Sequence, residues 1–396
     1  MIEVVGKYNV AKVYTDNIEP EAYRQILNMM NQKFSERANI AVMPDVHAGT
    51  GCVIGLTMDI KDKVVPNLVG VDIGCGMLVQ KVSREFPIDP IRMDTVIHDR
   101  IPSGCKHRTK RNPLFRDEIV DSIVAPVNKE LAALSLGTLG GGNHFIELDT
   151  DKSGDQYIVI HSGSRHLGVE VCKWHQSVAV DYHHNGLSKA NVIERLKSEG
   201  KERLIEETLA KMERVPDDLA YLEGRDMEQY LHDMELAQLY AKRNREAMLF
   251  DILNGLRIPH DAIGTRFCTV HNYIELPRRI LRKGAISLEC GELAIIPMNM
   301  RDGSLIVRGY GNPNWNCSGP HGAGRIMSRS KAKESIGLED FKRQMVGIYT
   351  TSVNRSTIDE APQAYKPMEE IVANISDTAK IVDVIKPVYN FKASEG

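Results

Sequence analysis

The sequence predicts a fold that mixes α and β: a β-rich body with helices outside it and a helical insertion over residues 183–260. Three observations carry this expectation. Short runs rich in β-branched and aliphatic residues, at 39–43, 51–58, 63–69, 77–82 and 157–161, are separated by polar connections, many containing glycine. From about residue 183 to 260 charges become dense, and Met227, Tyr230, Leu231, Met234, Ala237 and Ala241 recur at helical spacing. Strand-like runs then return at 293–297 and 304–308.

Taken in order, residues 20–34 carry Tyr23, Ile26, Leu27, Met30 and Phe34 at helical spacing, with Pro20 suited to a first turn. The stretch 44–51, Pro-Asp-Val-His-Ala-Gly-Thr-Gly, reads as a polar connection. Its Asp45 and His47 would support a metal site from behind, or only make loop hydrogen bonds. A helix is expected over 117–134 and another over 191–214; His183, His184 and His232 read as surface residues. Residues 359–367 read as a loop, and 386–392 as a short tail.

At 396 residues and 42% hydrophobic content the chain can bury a large core. Its net charge of -3 gives no global field for a polyanion, so a nucleic-acid surface must be a local patch. The 7 cysteines are scattered without Cys-x-x-Cys spacing, which suggests neither a disulfide framework nor a zinc ribbon. The first residues lack a signal-peptide layout, and no apolar run approaches the length of a membrane span. A soluble protein of the reducing cytoplasm is expected, with no membrane partner.

The chemistry centres on residues 70–76, Gly-Val-Asp-Ile-Gly-Cys-Gly. Asp72 and Cys75 stand three apart in a turn that glycines allow to bend tightly, so both could reach one metal ion. A thiolate can also bridge two ions. A buried free Cys beside a turn Asp is the plainer alternative. His144, His161, His271 and His321 each lie in a Gly-, Ser- or Asn-rich segment next to a strand-like run. With Asp72 and Cys75 they offer N, O and S donors enough for two metals. Thiolate plus imidazole suits zinc, whereas carboxylate and water admit manganese.

Other residues point to phosphate. Arg165, Arg325, Asn143, Asn272 and the glycines at 140–142 could clamp phosphoryl oxygens through forked guanidinium bonds and backbone amides. The dense basic cluster at 104–112, with Lys106, Arg108, Lys110 and Arg111, reads as an exposed loop for a phosphate backbone or as a merely solvated one. His321, between Pro320 and Gly322, is open enough to act as a covalent nucleophile. By residue chemistry alone, this is a metal-dependent enzyme acting on phosphates.

The motifs at 44–47 (Pro-Asp-Val-His), 70–76, 142–147 (Gly-Asn-His-Phe-Ile-Glu), 161–165 (His-Ser-Gly-Ser-Arg), 271–272 (His-Asn), 282–285 (Arg-Lys-Gly-Ala), 321–325 (His-Gly-Ala-Gly-Arg) and 364–366 (Ala-Tyr-Lys) resemble, in order, those of the RtcB family of RNA ligases. The resemblance covers nearly the whole chain. It implies one α+β catalytic domain over 1–396, with packed β-sheets, peripheral helices and the 183–260 insertion around a central metal pocket. The implied activity is GTP- and Mn²⁺-dependent joining of RNA 3′-phosphate or 2′,3′-cyclic phosphate ends to 5′-hydroxyl ends, in RNA repair or tRNA splicing. An accessory protein is left open.

By the same resemblance, Cys75 would bridge two Mn²⁺ ions, with His161 and His271 on one and Asp72 and His144 on the other. His321 would become guanylylated. Asn143 would hold GTP phosphates, Glu147, Ser304 and Lys392 the guanine, and Tyr365 the ring face. Asn272 would also belong to the GTP site, with Arg165 and Arg325 toward phosphate or RNA. One departure is residues 297–301, Pro-Met-Asn-Met-Arg, where the family usually has Pro-Gly-Ser-Met-Gly. Larger side chains there would crowd a close backbone approach. This motivates an alternative, a metal-dependent phosphoesterase that opens cyclic phosphates without ligating. The other is the end of the chain: Lys392 matches the family's terminal lysine but has four further residues behind it.

Overall fold

The computed structural model describes residues 1–184, 187–210 and 214–393. Two large sheets form the body. The first runs Ile2–Val5, Val10–Val13, Ile40–His47, Ile54–Asp59, Ile280–Lys283, Asn272–Glu275 in spatial order. The second runs Ile263–Val270, Gly76–Val82, Gln156–Ser162, Phe145–Thr150, Ala379–Lys392, Gly303–Gly309, Leu293–Asn299, antiparallel throughout. Its edges curl toward each other, and the amide of Ile295 on one edge reaches the Thr269 hydroxyl on the other at 3.1 Å. The fold is α+β, with the second sheet curled into a half-barrel.

The central strands of the curled sheet are buried on both faces, which is why residues 157–161 read as an unbroken apolar run. Met77, Val79, Phe145, Val159, Ile306 and Ile385 fill one apolar cluster against this sheet. A helix of 33 residues, Gly224–Leu256, buries Met227, Tyr230, Leu231, Met234, Ala237 and Ala241, and ends at Arg257 in the left-handed conformation (φ 57°). It packs along Arg165–His184 in the largest core cluster. His183 is half-buried on the Tyr221 carbonyl, whereas His184 and His232 are exposed. Of the helix expected at 191–214, residues 211–213 lie outside the described residues; the rest forms Leu187–Ser198, a short 3-10 turn and Ile205–Ala210. Among the described residues, no helix is long and apolar enough to cross a membrane.

Proline explains most of the differences from expectation. The helix expected over 117–134 is two short ones, Asp117–Asp121 and Lys129–Ser135, because Pro126 interrupts it and Asn128 caps the second at the Leu131 amide. The strand expected at 63–69 stops at Val64, and Pro66–Leu68 turns as a 3-10 helix. The first helix ends at Met30. Residues 44–47 are not a connection but the end of strand Ile40–His47, whose pairing with the next strand slips between Val42 and His47, around Pro44. Residues 386–392 are not a tail either. They end the 14-residue strand Ala379–Lys392, which lies in the middle of the curled sheet.

Candidate active site

Three strand ends and one glycine turn converge on Cys75. Its Sγ lies 3.3 Å from His161 Nε2 and 3.4 Å from His144 Nε2. His161 Nε2 is 3.0 Å from His271 Nε2, and His144 Nε2 is 3.1 Å from Asp72 Oδ2. Two triads result, Cys75–His161–His271 and Asp72–Cys75–His144, with the sulfur common to both. Gly70 and Gly74 take positive φ (91° and 72°) to turn the backbone. Gly74 also presses on the long helix, where a Cβ would sit 2.8 Å from Gln238 Cα.

That helix holds the site from behind. Arg245, fully buried, donates to the Gly74 and Ser162 carbonyls at 2.8 and 2.7 Å. Asn244 accepts from the Gly137 and Thr138 amides and donates to the Gly163 carbonyl. No periodicity announced these two. They lie in the same stretch as the apolar stripe, and polar residues breaking into a buried face were the available signal.

The imidazoles are oriented by their other nitrogens. His144 Nδ1 donates to the Leu139 carbonyl at 2.8 Å and His161 Nδ1 to the Asn143 carbonyl at 3.2 Å, which leaves each Nε2 a lone pair facing the sulfur. Burial, then the neighbouring imidazoles, push His161 well below the usual histidine range. Burial and the nearby His321 do the same to His271, whose Nδ1 is buried without a partner. Burial and Asp72 push the Cys75 thiol well up. Burial also works against the Asp72 carboxylate, but the hydrogen bond and charge of His144 bring it below its usual value. Buried nitrogen lone pairs and a sulfur this close together repel unless a cation stands between them. The residues therefore fit divalent ions, which would draw the thiol to thiolate.

Gly163 makes room for the Asp72 carboxylate, since a Cβ there would lie 1.9 Å from Asp72 Oδ1. Gly163→Ala is expected to displace Asp72 and lower the divalent metal bound at saturation. Metal analysis after equilibrium dialysis reads this directly.

Next to the cluster is a cavity of about 520 Å³, whose lining includes His47, Asn143, Glu147, His321, Tyr365 and Lys392. The His321 ring lies 4.9 Å, centroid to centroid, from that of His271. Asp45, fully buried, accepts from His321 Nδ1 at 2.7 Å and from the His321 and Gly322 amides at 3.1 and 3.3 Å. Asp45 thus serves the nucleophile candidate rather than a metal. With Nδ1 protonated, His321 keeps its lone pair on Nε2.

A buried carboxylate organises the other wall. Glu360 accepts from Arg329 (2.6 Å), Tyr365 Oη (2.7 Å), Lys392 Nζ (2.7 Å) and Arg325 (3.4 Å). Burial opposes its charge, but Lys392 and Arg329 outweigh that and hold it at about 2. Sequence reasoning passed over Glu360 because a loop carboxylate beside Tyr365 looks like a surface group. Glu147 differs: burial pushes it up to about 7, against the pull of Lys392 and Asn390.

The remaining expected residues are placed unevenly. Ser304 is fully buried on its strand, with Oγ unpartnered, and is not part of the cavity lining. Asn272 is a brace, donating to the Asp72 carbonyl and accepting from the Gly284 amide. Arg325 lines the cavity while donating to the Asp359 carbonyl and stacking over Tyr365. Arg165 donates to Thr138 Oγ1 and the Gly104 carbonyl, which ties the basic loop to the segment just before the glycines at 140–142.

Within that loop only Lys106 and Lys110 present exposed cations without an ion pair among the described residues. Arg108 is turned inward onto the Leu136 and Gly137 carbonyls and Asp251, and Arg111 pairs with Asp117 and Glu130. Arg108→Ala is expected to cost about 1–3 kcal/mol by stranding these acceptors. Lys106→Ala with Lys110→Ala should leave urea unfolding unchanged and weaken only polyanion binding.

The departure at 297–301 forms part of the cavity wall, where Pro297, Met298, Asn299 and Met300 all line it. Met298 and Met300 turn their side chains into two hydrophobic clusters, and Asn299 closes a turn by bonding Asp302.

A family model described as "tRNA-splicing ligase RtcB" matches residues 25–131 and 120–393. The chain is 32% identical to the RNA-splicing ligase RtcB of Escherichia coli K12, over 94% of each protein. It is 27% identical to the tRNA-splicing ligase RtcB of Aeropyrum pernix, over 96% of this chain and 94% of that one. The RNA-splicing ligase RtcB2 of Escherichia coli ATCC 25922 is likewise 27% identical, with the same coverage. A cluster of potential metal ligands sharing one sulfur, beside an aspartate-held histidine, is thus found in a chain that belongs, over nearly all its length, to the RtcB family of RNA ligases.

Proposed function

We propose that this enzyme joins RNA 3′-phosphate or 2′,3′-cyclic phosphate ends to 5′-hydroxyl ends at the expense of GTP, in RNA repair or tRNA splicing. The observation that carries the reading is His321, held at Nδ1 by Asp45 and presenting Nε2 to a cavity beside the shared-sulfur cluster. His321 Nε2 attacks the α-phosphorus of GTP; a P–N bond forms and pyrophosphate leaves. The RNA 3′-phosphate then attacks the same phosphorus and frees His321. Finally the 5′-hydroxyl attacks the activated 3′-phosphate and GMP departs. A cyclic end is first hydrolysed to the 3′-phosphate.

Two Mn²⁺ ions, held by Asp72, Cys75 and His144 and by Cys75, His161 and His271, would neutralise charge on the phosphoryl oxygens. Glu147, Lys392 and Tyr365 receive the guanine, with Ser304 behind them. Asn143 and Asn272 serve the phosphates, and Arg325 and Arg165 stand toward the RNA end. Lys106 and Lys110 meet the phosphate backbone. The cytoplasm, where Cys75 stays reduced, is the compartment that suits this ligand set.

Incubation with Mn²⁺ and α-labelled GTP, followed by denaturing electrophoresis, tests the reading. Label is expected on the protein and absent from His321→Ala. Hydrolysis of cyclic ends with no labelled protein would replace ligation by phosphoesterase activity.

A further inference from the structure

Of the four imidazoles that line the cavity, His47, His161, His271 and His321, the first has no use in the steps above. His47 ends strand Ile40–His47, two residues beyond Asp45, and lines the cavity together with His321. Its Nδ1 lies 2.9 Å from the Asp45 carbonyl oxygen, which can only accept, so Nδ1 carries the proton. Its Nε2 is therefore a lone pair, and among the described residues nothing bonds to it. One aspartate thus fixes two imidazoles in the same tautomer, His321 through its carboxylate and His47 through its carbonyl. Gly324 keeps this packing open, since a Cβ there would meet the Asp45 carbonyl oxygen at 2.6 Å.

The proton balance of the reaction shows where a base is needed. Attack by His321 on GTP and attack by the RNA phosphate each start from a lone pair and release no proton. Attack by the 5′-hydroxyl does release one; so does attack by water on a cyclic end, a step that RNA already bearing a 3′-phosphate bypasses. Resting on the ligase reading, we infer that His47 Nε2 is the general base of the sealing step. As the hydroxyl oxygen bonds to the 3′-phosphorus, its proton passes to His47 Nε2 and the P–O bond to the guanylate breaks. GMP leaves, and the imidazolium returns its proton to water.

The surroundings of His47 suit this role. Burial holds it below the usual histidine range, and the nearby His321 and Arg325 add to that, against the opposing pull of Asp45. It is unprotonated at neutral pH and able to accept. Glu19, which takes the amide of Ala48, is a further charged group at this wall of the cavity. A histidine kept only for packing would have no reason to turn an unbonded nitrogen into a cavity shared with the nucleophile.

The test follows α-labelled GTP through three stages in His47→Ala and His47→Asn; in the second, an amide donor to the Asp45 carbonyl is retained. Label is expected still to enter the protein and to pass to the RNA 3′-phosphate end. Guanylated RNA should then accumulate, with sealing slower by a factor on the order of 10²–10⁴. Added imidazole should restore part of the sealing rate in His47→Ala. Sealing at the wild-type rate, or a slowing shared equally by all three stages, would overturn the assignment. Failure of the wild-type protein to take label would count against the ligase reading itself, so the two failures remain distinct.

Discussion

Cys75→Ala is expected to release both metal ions and to abolish labelling of the protein by α-labelled GTP. The sulfur belongs to both triads, so its loss leaves His161 with His271, and Asp72 with His144, as bare pairs. Two-ligand sites at buried positions hold divalent cations poorly. Charge neutralisation at a phosphoryl group is worth several kcal/mol, so the rate should fall by about 10³-fold or more. His271→Ala, by contrast, touches one triad alone and should keep close to one ion. Metal analysis after equilibrium dialysis separates the two patterns. Retention of both ions by Cys75→Ala would refute the bridge.

Asp45→Asn carries the second large effect, and it acts without any change in volume. The carboxylate accepts from His321 Nδ1 and from two backbone amides at once. All three donors converge on one oxygen, Oδ2, so an amide that keeps its oxygen there holds the ring without the negative charge that supports it. An amide turned the other way would present its nitrogen to His321 Nδ1 and force the proton onto Nε2. That tautomer has no lone pair for GTP. By comparison with the loss of an orienting carboxylate in histidine-dependent hydrolases, guanylylation should slow on the order of 10⁴-fold. Metal content should stay at the wild-type level, because Asp45 belongs to neither triad. Loss of metal in Asp45→Asn would show that the aspartate acts through the cluster instead.

The candidate metal ligands were legible in the sequence because ligand chemistry restricts residue type. Asp72, Cys75 and four histidines in glycine-rich segments are an unusual set, and the structure gathers all but His321 into the two triads. The supports were less legible. Asp45 was found but placed in a loop, since Pro44 hides the continuation of a strand. Arg245 and Glu360 were missed because a buried charge looks, in sequence, like an exposed one; only the partners that surround it distinguish the two. Arg108 shows the reverse error, a cation read as exposed that spends its donors on two carbonyls and Asp251. Strand limits failed wherever proline intervened, whereas the stripe of the long helix, with its strong period, was read correctly.

The strand Ala379–Lys392 has a consequence for biosynthesis. It supplies the middle of a sheet whose neighbours on one side, Phe145–Thr150 and Gln156–Ser162, leave the ribosome far earlier. Until it arrives, the nascent chain holds Phe145–Thr150 as an unpaired edge, which invites pairing with other chains. Chaperone protection during synthesis should therefore matter more for this enzyme than its final stability would indicate.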